Sequence, residues 1–249
     1  APTFADWVQA KMPEPHCPPS RIRELAHDAV SFLRERHPDV LISVDLGSSA
    51  DLAQLVPDNT QIVDHHVYVD GITQAFWREA GISGIRPAAL IDERTPFLRS
   101  VLMGDIKSWD EMVRRATRVR RNWWPLAWLY TNLNNRKFDE WCQDHYSECK
   151  VRIAESIRTR LTAAHTYAQA HNLPLVVDEG FILYPPLHSE FVTSHNGRWG
   201  EEQGVQGAIE TGHWGIMLSG YFRPNTPPWH DDSQCDWARN VNQRILASG

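Results

Sequence analysis

The chain has 249 residues, with 25 Lys and Arg, 31 Asp and Glu, 11 Trp and a formal net charge of −6 at pH 7. This composition excludes a disordered, fibrous or disulfide-rich protein, and the acidic balance provides no basic field for nucleic acid. No window approaches the roughly 18 apolar residues that a membrane-spanning helix needs. We therefore expect one folded domain over residues 1–249, with neither nucleic acid nor a membrane as its partner.

Apolar runs alternate along the chain with amphipathic segments, which is typical of a parallel sheet covered by helices. A helix is predicted over Ser20–Arg36, because it begins at an N-cap serine and ends before a proline. The residues from Thr95 to His171 predict consecutive helices, inserted between the third and fourth strands. The predicted strands are Val8–Met12, Val40–Asp45, Gln61–Val69, Leu173–Asp178 and Trp214–Phe222.

Two carboxylates follow predicted strands. Glu179 stands where an apolar strand ends in Asp178-Glu179-Gly180, and Glu14 follows the first strand. Parallel α/β folds hold their active sites at the carboxyl ends of the strands. Cleavage of a glycosidic bond needs one carboxyl to protonate the leaving oxygen and a second to attack or to activate water. The pair therefore predicts a sugar hydrolase, and the many tryptophans suit the apolar faces of pyranose rings.

A family resemblance points the same way. The residues from Leu173 to Ile245 resemble the last two strands of the clan A glycoside hydrolases, and more narrowly the cellulase-like families related to glycoside hydrolase family five. The Asp64–Tyr68 segment resembles strand six of that clan. Within the C-terminal part, the resemblance lies in Asp178-Glu179-Gly180, the helix Trp199–Thr211, the segments His213–Pro224 and Trp229–Asp231, and Trp237-Ala238-Arg239.

The resemblance implies a (β/α)8 TIM barrel in which the five predicted strands are barrel strands four to eight. It implies a retaining hydrolase of a β-linked carbohydrate that uses no metal or cofactor. Glu179 takes the place of the nucleophile. Glu14 takes the place of the acid/base in Pro13-Glu14-Pro15, where Pro13 replaces the asparagine of the clan's Asn-Glu-Pro. The residues expected to bind or orient the sugar are His65, His66, Tyr68, Trp214, Tyr221 and Trp229.

Two other functions stay open. Val40–Ser49 and Ile62–His66 resemble two motifs of the Asp-His-His phosphoesterases, in which Asp45, Asp64 and His65 would bind two divalent metals. The upstream Asp-rich motif and the Gly-Gly-Gly-His segment of that family are missing from the sequence. The other alternative is a non-catalytic carbohydrate-binding protein on a hydrolase scaffold, which the proline before Glu14 favours.

The number of strands sets one further expectation. A parallel barrel needs eight strands, and the sequence supplies five. Because an open parallel sheet exposes a strand edge that pairs readily, we expect barrel strands one to three to come from elsewhere. The source would be an additional N-terminal segment of a longer protein or another chain, as in an oligomer.

Overall fold

The computed structural model describes residues 19–45, 52–69, 71–81, 96–104, 124–181, 185–186, 188–218 and 232–248, and of residues 124–127, 234 and 248 the backbone alone. The predicted strand Val8–Met12 lies outside these residues, and so do Glu14, Tyr221 and Trp229. The statements below concern the described part of the chain.

The described residues form an α/β structure that is mostly helical. The helices are α1 (Pro19–Arg36), α2 (Leu52–Leu55), α3 (Gly71–Glu79), α4 (Pro96–Val101), α5 (Trp124–Asn132), α6 (Asn135–His171), α7 (His195–Glu210) and α8 (Asp232–Ser248). The strands are β1 (Val63–Tyr68), β2 (Leu175–Phe181) and β3 (Gly215–Leu218), and a 3₁₀ turn spans Phe191–Thr193. None of the described helices is long and apolar enough to cross a membrane.

The three strands form one parallel sheet in the order β1-β2-β3, which is also their order along the chain. Helix α6 precedes β2, and helix α7 joins β2 to β3. Because parallel crossovers are right-handed, consecutive neighbouring strands place their connecting helices on the same face of the sheet. The fold therefore has one helix-covered face, and a closed eight-stranded barrel is not formed by the described residues.

The helix-covered face of the sheet is apolar. Val63 and Val67 of β1 are fully buried, as are Leu175 and Val177 of β2, and each belongs to a hydrophobic cluster with α6. Helix α7 approaches the sheet closely at Gly204, where a Cβ atom would lie 2.2 Å from the ring of Phe181. Burial of this face holds the strands in place, at roughly 25 cal/mol per Å² of apolar surface.

Helix α6 is the longest element, with 37 residues. Asn134 caps its start by accepting a hydrogen bond from the Lys137 amide, and Asn172 ends it in the left-handed conformation, at φ 52°. Its buried residues recur every three or four positions and form one continuous stripe. They are Phe138, Cys142, Tyr146, Cys149, Ile153, Ile157, Leu161, Ala164 and Ala168.

Most of the predicted elements are confirmed. The helix predicted from Ser20 is α1, and the strands predicted over Gln61–Val69 and from Leu173 are β1 and β2. The strand predicted from Trp214 is confirmed as β3 up to Leu218, and its last residues lie outside the described part of the chain. The predicted helical stretch contains α4, α5 and α6, while residues 105–123 are not described.

The strand predicted over Val40–Asp45 is wrong except at its last residue. Asp45 makes a single parallel bridge to Asp64 of β1. Before it, the Gln61 amide donates to the Ile42 carbonyl at 3.2 Å, and side chains make two further contacts. The Ile42 amide donates to Oε1 of Gln61 at 3.1 Å, and the Ser43 hydroxyl donates to the Ile62 carbonyl. This apolar segment therefore runs up to the edge of the sheet without forming a strand.

Candidate active site

The residues of β1 alternate between the two faces of the sheet, as in any strand. Val63, His65 and Val67 are buried against the helices, whereas Asp64, His66 and Tyr68 are half-buried on the opposite face. This opposite face carries the polar residues that the sequence analysis selected on β1, apart from His65. The alternation therefore divides the Asp-His-His sequence between two environments.

A β-bulge brings two consecutive carboxylates of β2 toward β1. His65 pairs with Val177, but the next residue, His66, pairs with Glu179, so Asp178 is an extra residue in β2. Both Asp178 and Glu179 are half-buried, although neighbours in a regular strand point to opposite faces. The bulge thus concentrates negative charge beside His66.

His66 lies at the centre of the resulting cluster. Its Nε2 atom is 2.9 Å from Oδ1 of Asp45 and 3.1 Å from Oδ2 of Asp178, and its Nδ1 atom is 3.6 Å from Oε2 of Glu179. The ring of Tyr68 meets the His66 ring edge-on, with centroids 5.4 Å apart. The imidazole is therefore held between three carboxylates and an aromatic ring, in an orientation that its neighbours fix.

Asp64 is the fourth carboxyl group of the cluster, and its pKa is raised. Burial, then the charge and hydrogen bond of Asp178, and then the charge of Asp45 raise the pKa of Asp64 to about 7, and His66 opposes this shift. A carboxyl with this pKa keeps a proton into the neutral range and donates it toward Asp178. One proton shared by two carboxylates lowers the repulsion among the acidic groups of the cluster.

The same cluster has the geometry of a cation site. Asp45, His66 and Asp178 each offer one ligand atom, and these atoms lie within 4.8 Å of one another. Carboxylate oxygens with an imidazole nitrogen suit Mn²⁺ or Zn²⁺. This set differs from the predicted one, because His66 and Asp178 stand where the sequence pointed to Asp64 and His65.

His65 is not part of the cluster, contrary to the sequence prediction. It is fully buried on the helix-covered face, and its Nε2 atom lies 3.1 Å from Nε2 of His213. Burial lowers the pKa of His65 to about 4 and that of His213 to about 3, so both rings are neutral. Val63 and Val67, two residues away on either side, lie on the same buried face, so His65, predicted to contact a sugar or a metal, points away from the cluster around His66.

The hydrogen bonds around this pair determine its tautomers. The Thr211 hydroxyl donates to the Gly207 carbonyl at 2.6 Å, so at 2.9 Å it accepts the Nδ1 proton of His213. Nε2 of His213 therefore accepts from Nε2 of His65. The pair ties the middle of β1 to the turn before β3 and belongs to the core.

Trp214 also lies away from the cluster. Its amide donates to the carbonyl of Leu175, the first residue of β2, whereas Glu179 lies four residues further along that strand. At about 3.3 Å per residue, the two are on the order of 13 Å apart along the sheet. Trp214, predicted as a sugar platform, is therefore not brought next to Glu179, since this exposed ring stands at the amino ends of the strands.

The structure brings together Glu179, His66 and Tyr68 among the predicted site residues, while Glu14, Tyr221 and Trp229 lie outside the described residues. Asp45 and Asp178 were missing from the predicted glycosidase site. The sequence signal for Asp45 is its position at the end of an apolar run beside the Asp64 strand. Asp178 reaches His66 because of the β-bulge, and the sequence contains no pattern that predicts this bulge.

No protein-family model, curated protein or solved structure matches this chain.

Proposed function

We propose that the protein is a retaining glycoside hydrolase that acts on a β-linked carbohydrate, with Glu179 as its nucleophile. The observation that carries this proposal is the contact between Glu179 and the Nδ1 edge of His66, whose ring Tyr68 meets from the side. A nucleophilic carboxylate must be held in one orientation while it attacks the anomeric carbon. A histidine and a tyrosine on the adjacent strand supply this constraint.

The sheet supports the same proposal. Its strands are parallel and sequential, with the connecting helices on one face and the polar cluster on the other. In a (β/α) barrel the helices lie outside and the strands present their other face to the interior. We therefore take the three strands as part of such a barrel, with the bridge from Asp45 to Asp64 marking the edge of β1 where a further strand would pair.

The edge of this sheet supports the proposal that further strands complete the barrel. Large apolar side chains of α1 and of the segment leading to Asp45 are about half exposed, notably Phe32, Val40 and Leu41. Apolar residues grouped beside an open sheet edge are suited to cover by another packed layer. We expect this layer to come from residues outside the described part of the chain, from an additional segment of the protein or from another chain.

In the proposed reaction, Glu179 attacks the anomeric carbon and forms a covalent glycosyl-enzyme while an acid protonates the leaving oxygen. The resemblance assigns this acid to Glu14. Water then attacks the intermediate, and the acid, now a base, accepts its proton. His66 keeps Glu179 aligned through both steps and takes no part in the proton transfers.

The test is a screen of chromogenic β-glycosides with the wild type and Glu179→Gln. We expect turnover by the wild type and a loss of at least about 10³-fold in the variant, with sugar binding retained. The matched control is Glu148→Gln, an exposed glutamate of α6, which should keep full activity. A 2-deoxy-2-fluoro glycoside should label the peptide that contains Glu179.

Either of two results would refute the proposal: an active Glu179→Gln variant, or a label on another peptide. Sugar binding by a wild type that turns over none of the glycosides would favour a non-catalytic carbohydrate-binding protein.

A metal-dependent phosphoesterase is the second candidate, because Asp45, His66 and Asp178 bring three ligand atoms within 4.8 Å of one another. Such a site would activate water on the cation for attack on phosphorus. Mn²⁺ titration by calorimetry, and turnover of a phosphodiester with and without EDTA, separate this function from the first. Asp45→Asn should abolish metal binding if the second candidate is correct, and a glycosidase should be indifferent to EDTA.

A further inference from the structure

A polar cavity lies beside the carboxyl end of β1. It has a volume of about 140 Å³ and is lined by Tyr68, Val69, Gly71, Gln74, Arg152, Ile153, Ser156 and Arg160. A water molecule occupies roughly 30 Å³ in the liquid, so the cavity has room for about four waters or for one small polyatomic group. The cavity is distinct from the carboxylate cluster around His66.

The lining of this cavity is cationic. Arg152, Ser156 and Arg160 stand four residues apart on α6, which puts them on the same side of the helix. No carboxylate is among the lining residues, and neither arginine forms an ion pair with a described residue. Asp70 precedes Gly71 in the sequence and lies outside the described residues. The described part of the cavity therefore holds two positive charges without a counter-charge.

The first turn of α3 faces the same space. Gly71 begins this nine-residue helix and lines the cavity, so the helix presents the partial positive charge of its amino end to this space. The close approach of α3 to α6 depends on this glycine, because a Cβ atom there would lie 2.5 Å from the side chain of Ile153. The Cys149 thiol, 3.6 Å from the Gly71 carbonyl, also contacts Nη2 of Arg152 at 3.4 Å.

We propose that this cavity binds the oxyanion group of a small molecule: a phosphate, a sulfate or a carboxylate. Guanidinium groups present N–H donors in a fixed fork that matches such groups, and the Ser156 hydroxyl adds a neutral donor. Tyr68 belongs both to this cavity and to the cluster around His66, so a ligand bound here lies next to the candidate active site. The proposal does not depend on which reaction that site performs.

The test is calorimetric titration of the whole protein with sodium phosphate, sodium sulfate and sodium glucuronate, each against sodium chloride at equal ionic strength. These arms identify which oxyanion binds best. We expect at least one of the three to bind and to raise the melting temperature, whereas chloride does not. Arg152→Gln and Arg160→Gln should each weaken binding about tenfold or more, because each removes a charge-assisted hydrogen-bond partner.

Arg158→Gln is the matched control, since Arg158 is on the same helix and exposed like Arg152, but lies outside the lining. Its affinity should stay within about twofold of the wild type. The proposal is overturned if none of the three anions binds beyond the chloride baseline, or if Arg158→Gln weakens binding as much as the lining variants. Ser156→Ala, which keeps both charges, provides a milder variant that should weaken binding by a smaller factor if the arginine variants do not fold.

Discussion

The Nδ1 atom of His66 lies 3.6 Å from Oε2 of Glu179. This contact exists because β2 carries one extra residue at the bulge, which turns Asp178 and Glu179 toward the same histidine. Asp178 contacts the Nε2 atom of that ring at 3.1 Å. One imidazole therefore sets the positions of two carboxylates with different contacts, and its removal should affect both.

His66→Gln tests this arrangement. The amide cannot occupy the positions of both ring nitrogens, so Glu179 loses its alignment. We expect kcat on a glycoside substrate to fall by about 10²-fold, as misplacement by about 1 Å can produce, while KM changes little. Steady-state kinetics measure both, and His171→Gln, at the exposed end of α6, is the control. An unchanged kcat would mean that His66 does not position the nucleophile.

A buried glutamate far from the cluster should make stability fall as pH rises. Burial raises the pKa of Glu201 to about 8, so Glu201 is neutral in the folded protein at pH 7. Between the unfolded value of 4.5 and about 8, unfolding releases a proton, so the contribution of Glu201 to stability declines with rising pH. The slope is at most about 1.4 kcal/mol per pH unit.

Glu201→Gln should remove this dependence. Urea unfolding of both proteins at pH 5, 6, 7 and 8 measures it: relative to the wild type, the variant should gain stability at each step. Glu210→Gln, at the end of the same helix, should leave the pH dependence unchanged. Parallel curves for the wild type and Glu201→Gln would contradict the raised pKa.

His213 should have the opposite effect, on the acid side. Its pKa is lowered from 6.5 to about 3, first by burial and then by the neighbouring His65 imidazole. The unfolded chain binds a proton below pH 6.5 and the folded chain does not, so the contribution of His213 to stability falls as pH drops toward 3. His213→Asn keeps an amide near Thr211 but cannot titrate.

The Asn variant should therefore lose stability less steeply than the wild type between pH 6.5 and 4. Circular dichroism during urea unfolding at several pH values gives the comparison. Because Asn is smaller than His, a constant offset of about 1–2 kcal/mol is expected at every pH. A slope equal to that of the wild type would show that His213 is protonated in the folded state.

Gly204→Ala should destabilise the fold strongly. The added Cβ atom would lie 2.2 Å from the ring of Phe181 and would push α7 away from β2. We expect a loss of about 1–3 kcal/mol, as is typical of an overpacked core. Gly104→Ala is the matched control, because a Cβ atom there meets nothing within 4 Å. Equal melting temperatures for the two variants would contradict the packing described for α7.

The sequence predicted the parallel character of the sheet and the position of Glu179, because apolar runs and strand-end carboxylates are local features. The burial of His65 could also have been predicted from the sequence. His65 alternates with Val63 and Val67 along the strand, so it shares their apolar face and not the polar one. Trp214 precedes β3 at the amino ends of the strands, whereas Glu179 lies in the second half of β2, toward its carboxyl end.

The bulge, in contrast, depends on the register between β1 and β2, whose paired residues are more than 100 positions apart. No short segment records which residue of one strand will face which residue of the other. The contacts of Asp178 and Asp45 with His66 follow from that register and from the single bridge at Asp64. They therefore required the three-dimensional structure.

Helix α6 packs against both the sheet and the aromatic residues beside it, and so joins these two parts of the core. With 37 residues it is about 55 Å long, whereas β2, with seven residues, extends only about 23 Å. Its N-terminal half packs against the rings of Phe76 and Phe97 through Trp141, and its C-terminal half covers Val63 and Leu175 through Ala164. Hydrogen exchange in the sheet and in the aromatic layer should therefore proceed through one shared opening event, because neither layer can be exposed while this helix stays in place.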